Sequence, residues 1–345
     1  MKHLFQTICI LPFAFFCMVG CKKNIDTSLK GKNNNNTPNF YLAGQSNGKP
    51  CLWINGTKNI LSASDGSANQ ILINGNDIYV TGYYELPGNN LNPGGFIPMQ
   101  CVYWKNGVEN KVGNIIYGHG FKNGIQPTIS IVDNNIFYAN GKAWENGTQL
   151  NFNLANIGNV RMTTSYGSNI YFVGTDSSGK AVYWENGLAH DIVPNETKSI
   201  TAYSLAVSSN NVYIGGEDSN QIATVWTNGI PENLHSSIPG SYDVFANSLF
   251  ANGTDIYALA QLAAPTSMTN GSYSYFNDIP AFWKNGIEND LPLNGDSYGY
   301  ANSVFVNGSD IYVCGNTGSG AVYWKNEIET KLGSDYGSVS SILIK

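Results

Sequence analysis

Charge is scarce in this chain. Only 12% of its 345 residues are charged, and Arg161 is its one arginine. The net charge of −6 leaves no basic field to grip a polyphosphate backbone, which excludes nucleic acid as a partner. Histidine is almost as sparse. Beyond the first twenty positions there are His119, His190 and His235, each in a different part of the chain. No H-E-x-x-H, C-x-x-C or G-x-S-x-G accompanies them, so zinc-protease, dithiol and serine-hydrolase chemistry lack their local motifs. Neither a metal nor a cofactor is expected, and no catalytic residue is assigned. Cysteine is also short. Cys9, Cys17 and Cys21 lie in the N-terminal segment, and the remaining Cys51, Cys101 and Cys314 are too few and odd in number for a disulfide framework. They read as small buried thiols. Long apolar runs are absent apart from Leu4 to Val19, which is too short and too N-terminal for a membrane span.

That apolar run follows Lys2 and His3 and ends in Met18-Val19-Gly20-Cys21. The tetrapeptide resembles the bacterial lipobox. The resemblance implies that residues 1–20 are a signal peptide and that Cys21 is lipidated as the first mature residue. The lipid bilayer would then be a partner through Cys21, and the location a bacterial cell envelope. Residues 21–38 are polar, Asn- and Lys-rich and of low complexity, so they read as a flexible tether. The folded part is expected over residues 39–345.

Aromatics and glycine, by contrast, are plentiful: 12% of the chain is Phe, Trp or Tyr, and there are 38 glycines. Such usage suits an all-β protein with many tight turns. All seven tryptophans fall at one place in a repeat of about forty residues. Trp53, Trp104, Trp144, Trp184, Trp226, Trp283 and Trp324 each stand two residues before an Asn: Asn55, Asn106, Asn146, Asn186, Asn228, Asn285 and Asn326. Six of these are followed by Gly, and Asn-Gly between strand-like runs is a type I′ hairpin signal. The last copy has Glu327 instead, so its turn is expected to be strained or of another type. Upstream of most tryptophans lies a second hairpin, such as Val304-Phe305-Val306 turning through Asn307 to Asp310 into Ile311-Tyr312-Val313. The turn residues Asp77, Asp255 and Asp310 are expected to satisfy backbone donors in their own turns.

One unit is therefore four short antiparallel strands, A to D. Such a meander is apolar on both faces and must stack on copies of itself. Four strands in 40 to 45 residues indicate a β-propeller. The first unit, from Asn39, has strands B, C and D but no A, whereas Ser338 to Lys345 reads as a lone strand A. The two ends should complete one sheet. The expected fold is all-β, a seven-bladed β-propeller with four antiparallel strands per blade, its ring closed by the C-terminal strand A on N-terminal strands B, C and D. The alternative is six blades with the first unit packed outside.

The run Ala181-Val182-Tyr183-Trp184-Glu185-Asn186-Gly187 resembles the A-x-x-W-x-N-G repeats of secreted and lipid-anchored bacterial propellers, including the HAF-type extracellular group. The resemblance covers nearly all of residues 39–345 and implies architecture rather than activity.

Function is argued from position. The first residues of each strand A ring the mouth of a propeller channel, and aligning the units places Asn69, Pro127, Arg161, Tyr203, Asn247, Asn302 and Ser340 in that ring. Two insertions, Tyr83 to Gln100 and Gln261 to Asp278, read as long B–C loops over the same face, with Tyr84, Phe96, Tyr273, Tyr275 and Phe276. The D–A loops add Tyr242, Asp243, Asp296, Tyr298, Tyr300, Asp335 and Tyr336. Tyr with Asn and Asp suits sugar stacking or a protein partner. A monomeric binding or scaffold module for a glycan or an envelope protein is the first reading. The alternative is a carbohydrate-active hydrolase or lyase using the acids of that face, which requires two carboxyls about 5–10 Å apart.

Overall fold

The structure is a computed structural model, and it describes residues 38–86, 97–112, 116–118, 127–150, 157–193, 200–209, 211–239, 241–269 and 272–345. Among the described residues every regular element is a strand, and no helix is long and apolar enough to cross a membrane. The signal and tether segments of residues 1–37 lie outside the described residues.

Seven antiparallel sheets of four strands follow one another around a ring. Blade 2 carries a fifth strand, Ile116–Gly118, paired to its strand C. The innermost strands A are Gly337–Ile344 in blade 1, Gly66–Asn74 in blade 2, Thr128–Val132 in blade 3 and Ile157–Tyr166 in blade 4. Those of blades 5 to 7 are Thr201–Ser208, Tyr242–Asn252 and Gly299–Asn307. Blade 1 is the shared one. The C-terminal strand runs antiparallel to Phe40–Ser46, with Leu343 opposite Tyr41 and Ile342 opposite Leu42. Val339, Ile342 and Ile344 are buried there. The ring is closed by pairing between the two ends of the described chain.

Seven apolar clusters occupy the gaps between blades, and each holds one tryptophan set against the preceding blade. Trp104 of blade 2 packs with Tyr41, Ala43 and Leu52 of blade 1, and Trp53 of blade 1 with Tyr312, Cys314 and Ala321 of blade 7. Trp144, Trp184, Trp226, Trp283 and Trp324 repeat the arrangement. All seven indoles are buried. One such ring removes 150–250 Å² from water, about 4–6 kcal/mol before entropy is counted. That is why one Trp per unit suffices to stack the units.

The Asn after each Trp does more than turn the chain. In all seven blades its φ lies between 48° and 51°, as a type I′ turn needs. Its side chain also fastens the neighbouring A–B turn. In blade 4, Asn186 Oδ1 accepts from the Ile170 N–H at 3.0 Å and Asn186 Nδ2 donates to Asn169 Oδ1 at 3.0 Å. The Asn186 N–H donates to the Ile170 carbonyl at 2.9 Å. Asn55, Asn106, Asn146, Asn228, Asn285 and Asn326 do the same in their blades. Two hairpins are thereby tied at one end of blades 2 to 7, and in blade 1, which has no A–B turn, Asn55 fastens the start of strand B at Asn39 and Phe40.

The turn aspartates have partners beyond their own turns, and one expectation is corrected here. Asp77, Asp255 and Asp310 reach across to the adjacent turn, accepting from Asn106, Asn285 and Asn326 and pairing with Lys105, Lys284 and Lys325 at 2.8, 3.0 and 2.8 Å. The segment from Gln261 to Asp278 continues the ladder of strands B and C out to Thr269 opposite Ser272, instead of forming a loop. The last turn keeps the shared geometry, with Asn326 at φ 48° and Glu327 forced to φ 65°. Here the strain of an L side chain replaces the missing glycine.

Candidate functional site

The ring forecast by alignment has a backbone cause. In six blades the ladder between strands A and B slips by one residue, and the skipped residue is the ring residue. Asn69 lies between Ala68 and Gln70 of the register, Arg161 between Val160 and Met162, and Tyr203 between Ala202 and Ser204. Asn247 lies between Ala246 and Ser248, Asn302 between Ala301 and Ser303, and Ser340 between Val339 and Ser341. A β-bulge leaves its extra residue unpaired and re-aims its side chain. These six side chains line a central channel of about 590 Å³.

The bulge explains a glycine that the sequence shows but that strand propensity does not. Gly44, Gly82, Gly174, Gly216 and Gly315 lie in strand B opposite the slip. A Cβ on Gly174 would meet the Asn159 carbonyl oxygen at 1.9 Å, and one on Gly315 the Tyr300 oxygen at 1.8 Å. The bulged strand presses its carbonyl onto strand B, and only hydrogen fits there. Blade 6 has Ala260 at this position. Blade 3 departs from the pattern. Pro127 precedes its strand, gives its carbonyl to Thr81 Oγ1 at 2.6 Å and does not line the channel, whose wall Thr128 supplies instead.

Arg161 is the only Lys or Arg of the channel wall, and no Asp or Glu lines it among the described residues. Its guanidinium carbon sits 4.7 Å from the Tyr203 ring centroid, a cation–π contact that fixes the group in place. Burial raises the Tyr203 hydroxyl above its ordinary pKa, so the phenol stays neutral. Three ring residues keep buried polar atoms without a hydrogen-bond partner in this structure: Asn69 Oδ1, Asn247 Oδ1 and Arg161 Nε. Each unmade bond costs about 1–3 kcal/mol. Asn302 is instead engaged, its Nδ2 donating to Ser338 Oγ at 3.1 Å and to the Val339 carbonyl at 2.8 Å. It latches blade 7 to the closing strand.

At one side of the mouth, Tyr300 donates to Asp278 at 2.5 Å, and Gln261 Nε2 donates to the other oxygen of that carboxylate at 2.7 Å. The bond to Asp278, with burial, pushes the Tyr300 hydroxyl up to about 12. Tyr298 packs edge-on against Tyr300, ring centroids 6.2 Å apart. Tyr298 and Tyr336 are 38% and 74% exposed, so this rim has aromatic faces open to a ligand.

Two acids of the hydrolase alternative, Asp296 and Asp335, do not line the channel. Asp296 accepts from Ser319 Oγ at 2.7 Å and lies 3.6 Å from Lys331 Nζ. Hydrogen bonding, chiefly from Ser319, holds its carboxyl below the usual range. Asp335 pairs with Lys58 and Ser46, and the Lys58 bond likewise lowers it. Tyr242 and Asp243 stand opposite Ala263 and Leu262 in the ladder, but their side chains lie outside the described residues, as do Phe96, Tyr273, Tyr275 and Phe276. Tyr84 donates to Glu109 at 2.9 Å and is only half open.

The other candidates for chemistry have structural surroundings. His190 stacks on Tyr183 with centroids 4.8 Å apart, and His119 lies outside the described residues. No group of His, Cys, Asp or Glu able to hold a metal occurs among the described residues. Cys51, Cys101 and Cys314 are free and buried; burial pushes the first two thiols up to about 12.

No protein-family model matches the chain, and no curated protein does. Solved structures do. The computationally designed Ika8 protein is similar over 88% of this chain and 92% of its own, at 13% identity and a TM-score of 0.44. Apo AztD from Citrobacter koseri is similar over 89% of this chain and 98% of its own, at 11% identity and a TM-score of 0.37.

Proposed function

We propose that this protein is a binding module of a bacterial cell envelope, held at a membrane by acyl chains on Cys21, that takes a glycan or a segment of an envelope protein in the mouth of its channel. One observation carries the binding part. Asn69, Arg161 and Asn247 present unpartnered buried polar atoms around a single channel with no carboxylate in its described wall. A ligand that completes those bonds recovers what folding left unmade. A cavity of about 590 Å³ is in the usual range for a small-molecule site. The exposed rings of Tyr298 and Tyr336 beside the mouth suit sugar faces. Hydrolysis is the weaker reading because Asp296 and Asp335 are held by Ser319, Lys331, Lys58 and Ser46.

The anchoring part is supported by the lipobox-like Met18 to Cys21 and the polar tether that follows. Several acyl chains would hold firmly, at ~0.8 kcal/mol per buried CH₂. Detergent phase partition tests it: the protein should enter the detergent phase, and Cys21→Ser should leave the aqueous phase holding it.

A glycan array on the full-length protein, run beside a Ser340→Trp variant that fills the channel, tests the binding reading. Hits should be lost in the variant with its melting temperature within a few degrees of the parent. Hits that survive the filled channel, or an array without hits, would overturn it.

A further inference from the structure

Among the described residues the wall of the channel carries a single formal charge, that of Arg161. Among the described residues Arg161 has no ion pair, and its guanidinium sits over Tyr203 with Nε buried and unpartnered. The ring residues that share the wall with it include the amides and hydroxyl of Asn69, Asn247, Asn302 and Ser340. Both tyrosines of the wall, Tyr203 and Tyr300, carry neutral phenols at neutral pH. A half-buried cation with no counter-ion beside it is less well solvated than one in open water, and an anion entering the channel would offset that. A guanidinium offers a planar fork of donors matched to a planar, two-oxygen acceptor. One fork and one charge suit a monoanion better than a dianionic phosphate.

The remaining vacancies define the rest of the ligand. Asn69 is only 7% exposed, and its Oδ1 lacks a donor, as does that of Asn247. Amide oxygens call for hydroxyl or amine donors on the incoming molecule. Resting on the channel-binding reading above, we propose that the ligand is a sugar acid, its carboxylate on Arg161 and its hydroxyls on Asn69 and Asn247. A volume of about 590 Å³ accommodates one or two hexose units.

Titration calorimetry on the full-length protein separates the possibilities with three probes: digalacturonate, the neutral disaccharide galactobiose, and galactose 6-phosphate. Digalacturonate should bind, and galactobiose at least 10-fold more weakly. Arg161→Gln should lower digalacturonate affinity on the order of 10- to 100-fold, the worth of a charge-assisted bond. Arg161→Lys, which keeps the charge and loses the fork, should recover only part of it. Asn247→Ala should weaken binding several-fold without altering the preference for the acid. Equal affinity for galactobiose would overturn the inference while leaving channel binding intact, as would a preference for galactose 6-phosphate. Failure of digalacturonate to bind would overturn it too. Binding of digalacturonate that survives Ser340→Trp would sink the channel reading itself.

Discussion

Replacing Gly174 by Ala tests the link between the bulge and the ring. The added Cβ would fall 1.9 Å from the Asn159 oxygen and 3.0 Å from the Val160 Cα. Ordinary C···O contacts begin near 3.3 Å, so the strands must part locally by about 1.4 Å. Both atoms met are backbone, paired on the far side of a ladder that cannot swing away as a side chain would. The cost belongs at the upper end of overpacking penalties, about 3 kcal/mol. In a chain of this size that is a drop in Tm of roughly 5–10 °C. Gly147→Ala is the control. Its φ is +82° and nothing lies within 4 Å of the added Cβ, so only the left-handed backbone term of about 1 kcal/mol applies. Urea unfolding followed by tryptophan emission measures both. If Gly174→Ala unfolds no earlier than Gly147→Ala, the bulge does not press strand A onto strand B, and the orientation of Arg161 loses its explanation. A drop in stability with unchanged digalacturonate affinity would show that the clash is absorbed without moving Arg161.

Deleting residues 338–345 removes Val339, Ile342 and Ile344, all buried, and exposes the edge of blade 1. At about 1.5–3 kcal/mol per side chain the loss rivals the whole stability of a domain, so the truncated protein should unfold or self-associate in sedimentation runs; a monomer of parental stability would refute ring closure. Glu327→Gly relieves a left-handed non-glycine residue at φ 65° and should raise stability by up to about 1 kcal/mol in urea titration, net of the extra freedom of the unfolded chain. Maleimide labelling at pH 8 with mass-spectrometric mapping should leave Cys51, Cys101 and Cys314 unmodified in the native protein and modify all three in urea.

The architecture was legible because it depends on a period. Trp and Asn recur with the unit, and each has one job that its chemistry dictates: the indole fills a gap, and the Asn turns the chain. Closure was legible for the same reason, since a unit lacking strand A and a strand A lacking its unit imply each other. Three features were hidden. The second role of the Asn depends on the A–B turn, which reaches it only after folding. The Asp residues 77, 255 and 310 were read from their own turn, while their partners came from the next hairpin. The bulge was hidden because pairing register is not written in one strand, although the recurring glycines from Gly44 to Gly315 were its trace. The ring could be aligned without it, but Pro127 could not be seen to leave the channel wall to Thr128.

Blade 1 also sets a schedule for biosynthesis. Its three outer strands, complete at Ile60, leave the ribosome before their fourth neighbour, which begins at Gly337, roughly 280 residues later. At 5–20 residues per second the nascent protein spends about 15–60 seconds with that sheet one strand short. During that interval any free extended segment, from its own chain or another's, competes for the vacancy.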